Sequence, residues 1–307
     1  MSQKNRAGIA LSLAILGWSF SPIFIRYLQD AYDPFTQAGI RYSGAVLFLV
    51  PYCLLFYRDA FKKAFLKPIP TFILSITNVV MQSAWTIGIY YSTASLGQIL
   101  VKIQIPIVAF FSFLVFAEER SLIKNPRFII GSVLGIFGSA LLIYKPSAID
   151  EFPYLYRAVL ALFLSAFLWG IYCVYGKYTV ERELHPIPMF GVISIYTTIG
   201  LLLLGYFLGS PEKAIHASVS IHLIALFSGL LPIAVAHSSF HYAQWHLGSA
   251  FCNTLLTLNP LITHFFALLL WKNEHLSLIQ WIGTSILLLG CVLVLMTQSN
   301  IKTQSPE

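Results

Sequence analysis

Runs of roughly twenty apolar residues recur along the chain, parted by short polar stretches. A hydrocarbon core about 30 Å thick needs roughly 20 apolar residues per helix. The pattern therefore predicts ten membrane-spanning helices, near residues 7–28, 34–56, 70–91, 95–117, 127–145, 156–177, 187–208, 220–242, 248–271 and 278–297. The connections are short and leave no room for a soluble domain. The longest hydrophilic linkers are "YRDAFKKAFLKPIP" and "YKPSAIDEFPYLYR", and the second divides the chain into five-helix halves, 1–150 and 151–307.

Composition supports lipid as the solvent. Of 307 residues, 57% are hydrophobic and 10% charged, where a soluble domain carries about 25% charge. The net charge of +7 sits in short loops, which fits attraction to a membrane surface better than binding of nucleic acid. The basic start "MSQKNRAGIALSLAILGWSF" has the look of a signal peptide but no small-residue cleavage site follows, so it reads as a retained first helix. Cys53, Cys173, Cys252 and Cys291 all fall in apolar segments and read as buried hydrophobes. With the N-terminus cytoplasmic, inside segments hold twelve Lys and Arg and outside loops five. The positive-inside rule then places both termini in the cytoplasm.

The halves resemble one another. Trp18 stands eight residues before Arg26, and Trp169 eight before Lys177. Pro106 precedes "AEERSLI" and the pair Gly131 and Gly138; Pro260 precedes "KNEHLSLI" and the pair Gly283 and Gly290. The offsets all lie between 151 and 154 residues. Five helices per repeat is an odd number, so the second repeat enters the membrane from the opposite side. The predicted fold class is all-α integral membrane: ten transmembrane helices in two inverted five-helix repeats. Such repeats place a binding site near the midplane, between the halves.

These motifs, in duplicate and in order, resemble the EamA family of the drug/metabolite transporter superfamily over about residues 7–297. The resemblance implies a ten-helix inverted-repeat transporter of small metabolites, often an exporter of amino acids or other metabolites. The second half departs from the pattern: "FGVISIYTTIG" has no counterpart of Arg41.

Lys102, inside "LVKIQIPIVAFF", and Arg41 are the two intramembrane cations, each roughly 10 Å deep at 1.5 Å per residue. No span has an internal acid, which argues against a carboxylate proton relay or metal-cation transport and favours a uniporter or exchanger. The two cations fit a substrate carboxylate or phosphate. The alternative is a snorkelling Lys102 and an Arg41 bonded to helix-end carbonyls. Thr71, Ser75, Asn78, Gln82 and Trp85 are spaced 4, 3, 4, 3 and share one face of the third helix. Asn253, Thr257, Pro260 and His264 repeat the device in the ninth helix, and Ser165, Trp169 and Tyr172 in the sixth. Polar glue between helices is one reading of these stripes, the lining of a lumen the other.

His237 and His241 share a face of the eighth helix, with no third ligand to complete a metal shell. Either they hydrogen-bond the substrate or they sit inert at an interface. Pro106 and Pro260 are expected to kink the fourth and ninth helices, suiting a gate. Gly131 and Gly135 form a close-packing face, within the bundle or between protomers. Glu119 and Glu274 are expected to cap or salt-bridge helix ends. Signatures of enzymes and any call for a cofactor are missing from the sequence. The expectation is a secondary transporter, exporter or exchanger, in the cell inner membrane, monomeric or homodimeric, with lipid and a small molecule as partners. Its cargo is a small polar or amphipathic metabolite with an anionic group, of the amino-acid or adenosyl/nucleoside type. A non-transporting scaffold or regulator and a membrane-embedded enzyme are the alternatives.

Overall fold

The computed structural model describes residues 2–143, 154–182, 184–270 and 278–298. The midpoint linker's residues 144–153 and the expected Glu274 contact lie outside them. Described residues form helices and turns and no strand. Ten long helical segments follow one another: α1 (Gln3–Leu28), α2 (Pro34–Phe56), α3 (Pro68–Tyr90), α4 (Ala94–Val115), α5 (Pro126–Ile143), α6 (Leu155–Arg182), α7 (Pro186–Leu208), α8 (Val219–Leu247), α9 (Ser249–Leu270) and α10 (Leu278–Gln298). Eight are long and apolar enough to cross a membrane; α5 and α10 carry the shorter apolar stretches Pro126–Gly138 and Trp281–Val294. The hydrophilic linker after α2 folds into a short helix, Arg58–Phe65, whose buried Phe61 lies against Gly191 of α7.

Local sequence explains where the helices start. Proline opens α2, α3, α5 and α7, where its missing N–H costs no helical bond and its fixed φ suits the first turn. Asp33 caps α2 by accepting from the backbone N–H of Phe35 and Thr36 at 2.9 and 3.0 Å. It also accepts from the Ser210 backbone N–H beyond α7 at 3.0 Å. Burial pushes its carboxyl up, but the bonds from Thr36, Ser210 and Phe35 outweigh this and hold it below the ordinary carboxylate value. A lowered carboxyl contributes stability above the unfolded-state range, and that contribution is lost as pH falls through the folded value. Gly248 (φ 89°) turns the chain from α8 straight into α9, a left-handed conformation that favours glycine.

Packing pairs the helices across the halves. The main partners are α5 with α10, α2 with α7, α4 with α9, α1 with α8 and α3 with α6; α6 also packs on α4 as α1 does on α9, and α2 on α8 as α7 does on α3. Adding or subtracting five from every helix number maps this set onto itself. All four cysteines are free and buried.

The α5–α10 seam is built on the two glycine pairs. A Cβ on Gly131 would come within 2.7 Å of the Gly290 carbonyl oxygen, and one on Gly290 within 2.6 Å of the Gly131 oxygen. Backbones this close leave no room for a side chain, so this glycine face works within the bundle. Gly290→Leu should destabilise the protein by about 1–3 kcal/mol or more, the usual overpacking cost, read as a lower thermal midpoint in detergent. Gly8→Ala is the control, because nothing lies within 4 Å of its Cβ.

Candidate functional site

Three helices are interrupted near the middle of the molecule, each at or shortly before a proline, and a fourth carries a proline without a break. Pro22 lies inside α1. The α4 helix passes through a 3-10 turn, Val101–Ile103, before Pro106, and α9 through another, Leu256–Leu258, before Pro260. In α8 a wider π turn, Leu230–Val235, takes in Pro232. Proline has no N–H and crowds the preceding turn, so the carbonyl four residues back loses its helical donor. For Pro22 that carbonyl belongs to Trp18, and Gln98 Nε2 of α4 donates to it at 2.9 Å. At the two prolines expected to kink, a 3-10 turn ends three residues before Pro106 and two before Pro260. The π turn at Pro232 was not foreseen.

The interruptions surround a partly open cavity lined from α1, α3, α4, α6, α8 and α9. Six of the sequence-predicted residues line it: Lys102, Gln82, Trp85, Ser165, Trp169 and His237. Lys102 occupies the middle of the α4 3-10 turn with 2% of its surface exposed. No hydrogen bond or ion pair to its ammonium is present among the described residues, and no carboxylate lines the cavity.

The aromatic wall is held rigidly. Trp18 and Trp169 meet edge to face, with ring centres 5.1 Å apart at 86°. Trp169 Nε1 donates to Asn253 Oδ1 at 2.6 Å, and Trp18 Nε1 to His237 Nδ1 at 3.2 Å. An indole N–H only donates, so Nδ1 of His237 must be the acceptor and its proton lies on Nε2. His237 also stacks on Phe190 of α7, centres 4.9 Å apart.

The other predicted residues stand behind the wall. Arg41 is buried and donates through Nε to Ser228 Oγ (3.0 Å) and through Nη2 to Ser21 Oγ (3.1 Å); of these residues only Ser21 reaches the cavity. The expected helix-end carbonyls are replaced by two hydroxyls. Asn78 donates to Tyr42 Oη and Thr197 Oγ1, so the α3 stripe opens on the cavity only at Gln82 and Trp85. Tyr172 and His241 hydrogen-bond each other at 3.1 Å. Thr257 donates to the Thr254 carbonyl and faces Gly135. Asn253 supports Trp169 from behind and does not share its space. On α9 the lining falls to Leu256 and Asn259 instead. Sequence reasoning also missed Trp18, Gln98 and Gln104 as lining residues. Trp18 was visible as half of the tryptophan repeat, and Gln98 stands four residues before Lys102 on one helical face.

At one end of the bundle Glu119 forms a knot. Its Oε1 accepts from Lys177 Nζ of α6 at 2.7 Å and from the Ser249 backbone N–H at 2.8 Å; Oε2 accepts from the Ala250 N–H at 2.9 Å. One buried carboxylate thus caps α9 and pairs with α6, both parts of the expectation for this residue. Glu118 adds a second contact to Lys177 at 3.1 Å. Burial pushes the Glu118 carboxyl up, but its own backbone N–H and Lys177 hold it below the ordinary value.

Comparison with known proteins bears on this geometry. The model of the EamA-like transporter family matches residues 6–144 and again 156–296. An uncharacterized transporter of Haemophilus influenzae is 24% identical over 305 residues, covering 96% of this chain and 98% of that protein. An uncharacterized transporter of Archaeoglobus fulgidus is 25% identical over 301 residues, covering 94% and 97%. A crystal structure superposes with a TM-score of 0.78 at 14% identity, over 96% of this chain and 99% of that one, which shows the fold alone.

The knot makes a quantitative demand. Removing one member of a buried ion pair costs about 3–5 kcal/mol, because the other charge is left buried. Glu119→Ala and Lys177→Met should each lower the thermal midpoint strongly, and the double variant should lose much less than the sum. Additive losses in that cycle would show that the two residues act separately.

Proposed function

The chain belongs to the EamA-like transporter family, a multi-pass membrane transporter, and from that membership we propose that the central cavity binds a small polar or amphipathic metabolite through an anionic group and exposes it alternately to the two faces of the cell inner membrane. Ten spans, two inverted repeats (1–150 and 151–307) and two cytoplasmic termini belong to the same proposal. The helix partnerships support it. Their exchange under a shift of five is what a pseudo-two-fold axis between the halves generates, and an odd number of spans per half lays that axis in the membrane plane.

The carrying observation is Lys102: a buried cation in the cavity wall, with no partner among the described residues. Such a charge is expensive in lipid, and polar groups held at that depth face cavities and solute paths. A carboxylate or phosphate offsets the cost through a charge-assisted contact. Uniport or exchange of that anion is part of the same proposal.

In reconstituted vesicles screened by counterflow with labelled metabolites, Lys102→Met should weaken apparent affinity for the transported anion by about 10- to 150-fold, the equivalent of about 1.5–3 kcal/mol. Lys102→Arg should rescue part of it, given its different shape. Unchanged affinity in Lys102→Met would reduce the lysine to a snorkelling residue. Topology is checked by labelling single cysteines at Lys63 and Lys213 in whole cells. The first should react only from the cytoplasm and the second only from outside; the reverse pattern inverts the arrangement.

A further inference from the structure

We infer that the cavity selects a planar aromatic carboxylate carrying no ammonium group, a net anion rather than a zwitterion; this rests on the transporter reading above and narrows its cargo. The argument has three parts: charge, hydrogen-bonding capacity and shape.

The lining holds one ammonium, that of Lys102, and no carboxylate. Asp33 caps α2, and Glu119 and Glu118 hold Lys177 at the end of the bundle. An amino acid entering this space could place its carboxylate on Lys102, but its ammonium would find no counter-charge in the lining and would share the cavity with a like charge. Taking an unpaired charge out of water is costly, and like charges disfavour one another most where the dielectric is low. A solute with the carboxylate alone meets neither penalty.

Trp18 and Trp169 present faces and not N–H groups. The Trp18 N–H is spent on His237 and the Trp169 N–H on Asn253. With their polar edges tied into the wall, what these two rings can give a ligand is a π surface, and π surfaces pair best with another ring, stacked or edge-on. They stand nearly perpendicular, at 86°, so a flat solute can lie along one and meet the other with its edge. Trp85, half-buried on α3, adds a third ring. The remaining polarity around them is neutral: His237, the amides of Gln82, Gln98, Gln104 and Asn259, and two serine hydroxyls. Neutral donors suit the oxygens of an anion or a ring heteroatom, and none of them offers the charge that an ammonium requires.

The test uses probes that share a ring and differ in charge. Indole-3-acetate (anion), tryptophan (zwitterion) and tryptamine (cation) are titrated against the full-length protein in nanodiscs by calorimetry, with cyclohexaneacetate as a non-planar anion. Indole-3-acetate should bind at least about tenfold more tightly than each of the other three. Lys102→Met should abolish its advantage over tryptamine. Trp169→Leu should erase its advantage over cyclohexaneacetate, and Trp169→Phe should keep part of it. Tryptophan binding as tightly as indole-3-acetate, with affinity still dependent on Lys102, would overturn the charge selectivity and leave the transporter reading standing. Cyclohexaneacetate binding as tightly as indole-3-acetate would overturn the planar requirement. Binding of none of the four overturns this cargo class, while counterflow of another anion and the cysteine labelling decide the transport reading separately.

Discussion

A peptide group inside lipid has no water to turn to, and this constraint decides where the chain departs from regular helix. Irregular backbone is tolerated at membrane depth only where protein covers it or a cavity receives it. The interruptions described here obey that rule together. Pro22, the turns before Pro106 and Pro260, and the π turn at Pro232 all gather at one cavity. The Trp18 carbonyl that Pro22 releases is bonded by Gln98 from another helix. Asn259 Nδ2 and Thr263 Oγ1 of α9 likewise donate to the carbonyls of Ile15 and Ser19 in α1. Side chains of the broken helices α4 and α9 thus satisfy backbone carbonyls of α1.

The same solvent sorts the buried cations by how completely they are answered. Lys177 has two carboxylates and the ring of Phe116, 3.8 Å from its ammonium. Arg41 has two serine hydroxyls, at the point where α2 and α8 cross through Gly44 and Gly229. Lys102 has no partner among the described residues. Its charge alone faces space that a solute can enter, which distinguishes a lysine suited to binding from two basic residues that serve the architecture.

Much of the fold was legible because lipid imposes its thickness on the sequence, and a run of apolar residues of the right length has few other uses. Charge and aromaticity inside such runs were equally readable at Lys102, Gln82, Trp85, Trp169 and His237. What a single helix cannot declare is what its polar face looks toward. Asn78, Tyr172 and His241 have the spacing of a lining, but neighbouring helices supply their partners. On α9 the stripe at Asn253 and Thr257 misled for a geometric reason. The 3-10 turn at Leu256–Leu258 winds three residues per turn, against 3.6 in an α-helix, which rotates the following face by about 60°. Asn259, after the turn, comes to the cavity in consequence, while Asn253, before it, is spent on the Trp169 indole and the Ser249 carbonyl. The linker after α2 hid a helix because its apolar contribution is a single buried phenylalanine and an alanine.

The exchange of partners between the halves also has a consequence for synthesis. The Trp18 indole finds its acceptor on His237, 219 residues later in the chain. The ribosome therefore delivers α1 to the membrane long before the helix that completes it exists. Until α8 arrives, Trp18 must keep its N–H near the headgroups or borrow a temporary acceptor, with Gln98 supplying only the carbonyl's need in the meantime. A nascent first half is thus an incomplete polar network waiting in lipid. Truncation after α5 would leave a fragment whose buried donors have no native partner and which a membrane quality-control protease could recognise by that deficit.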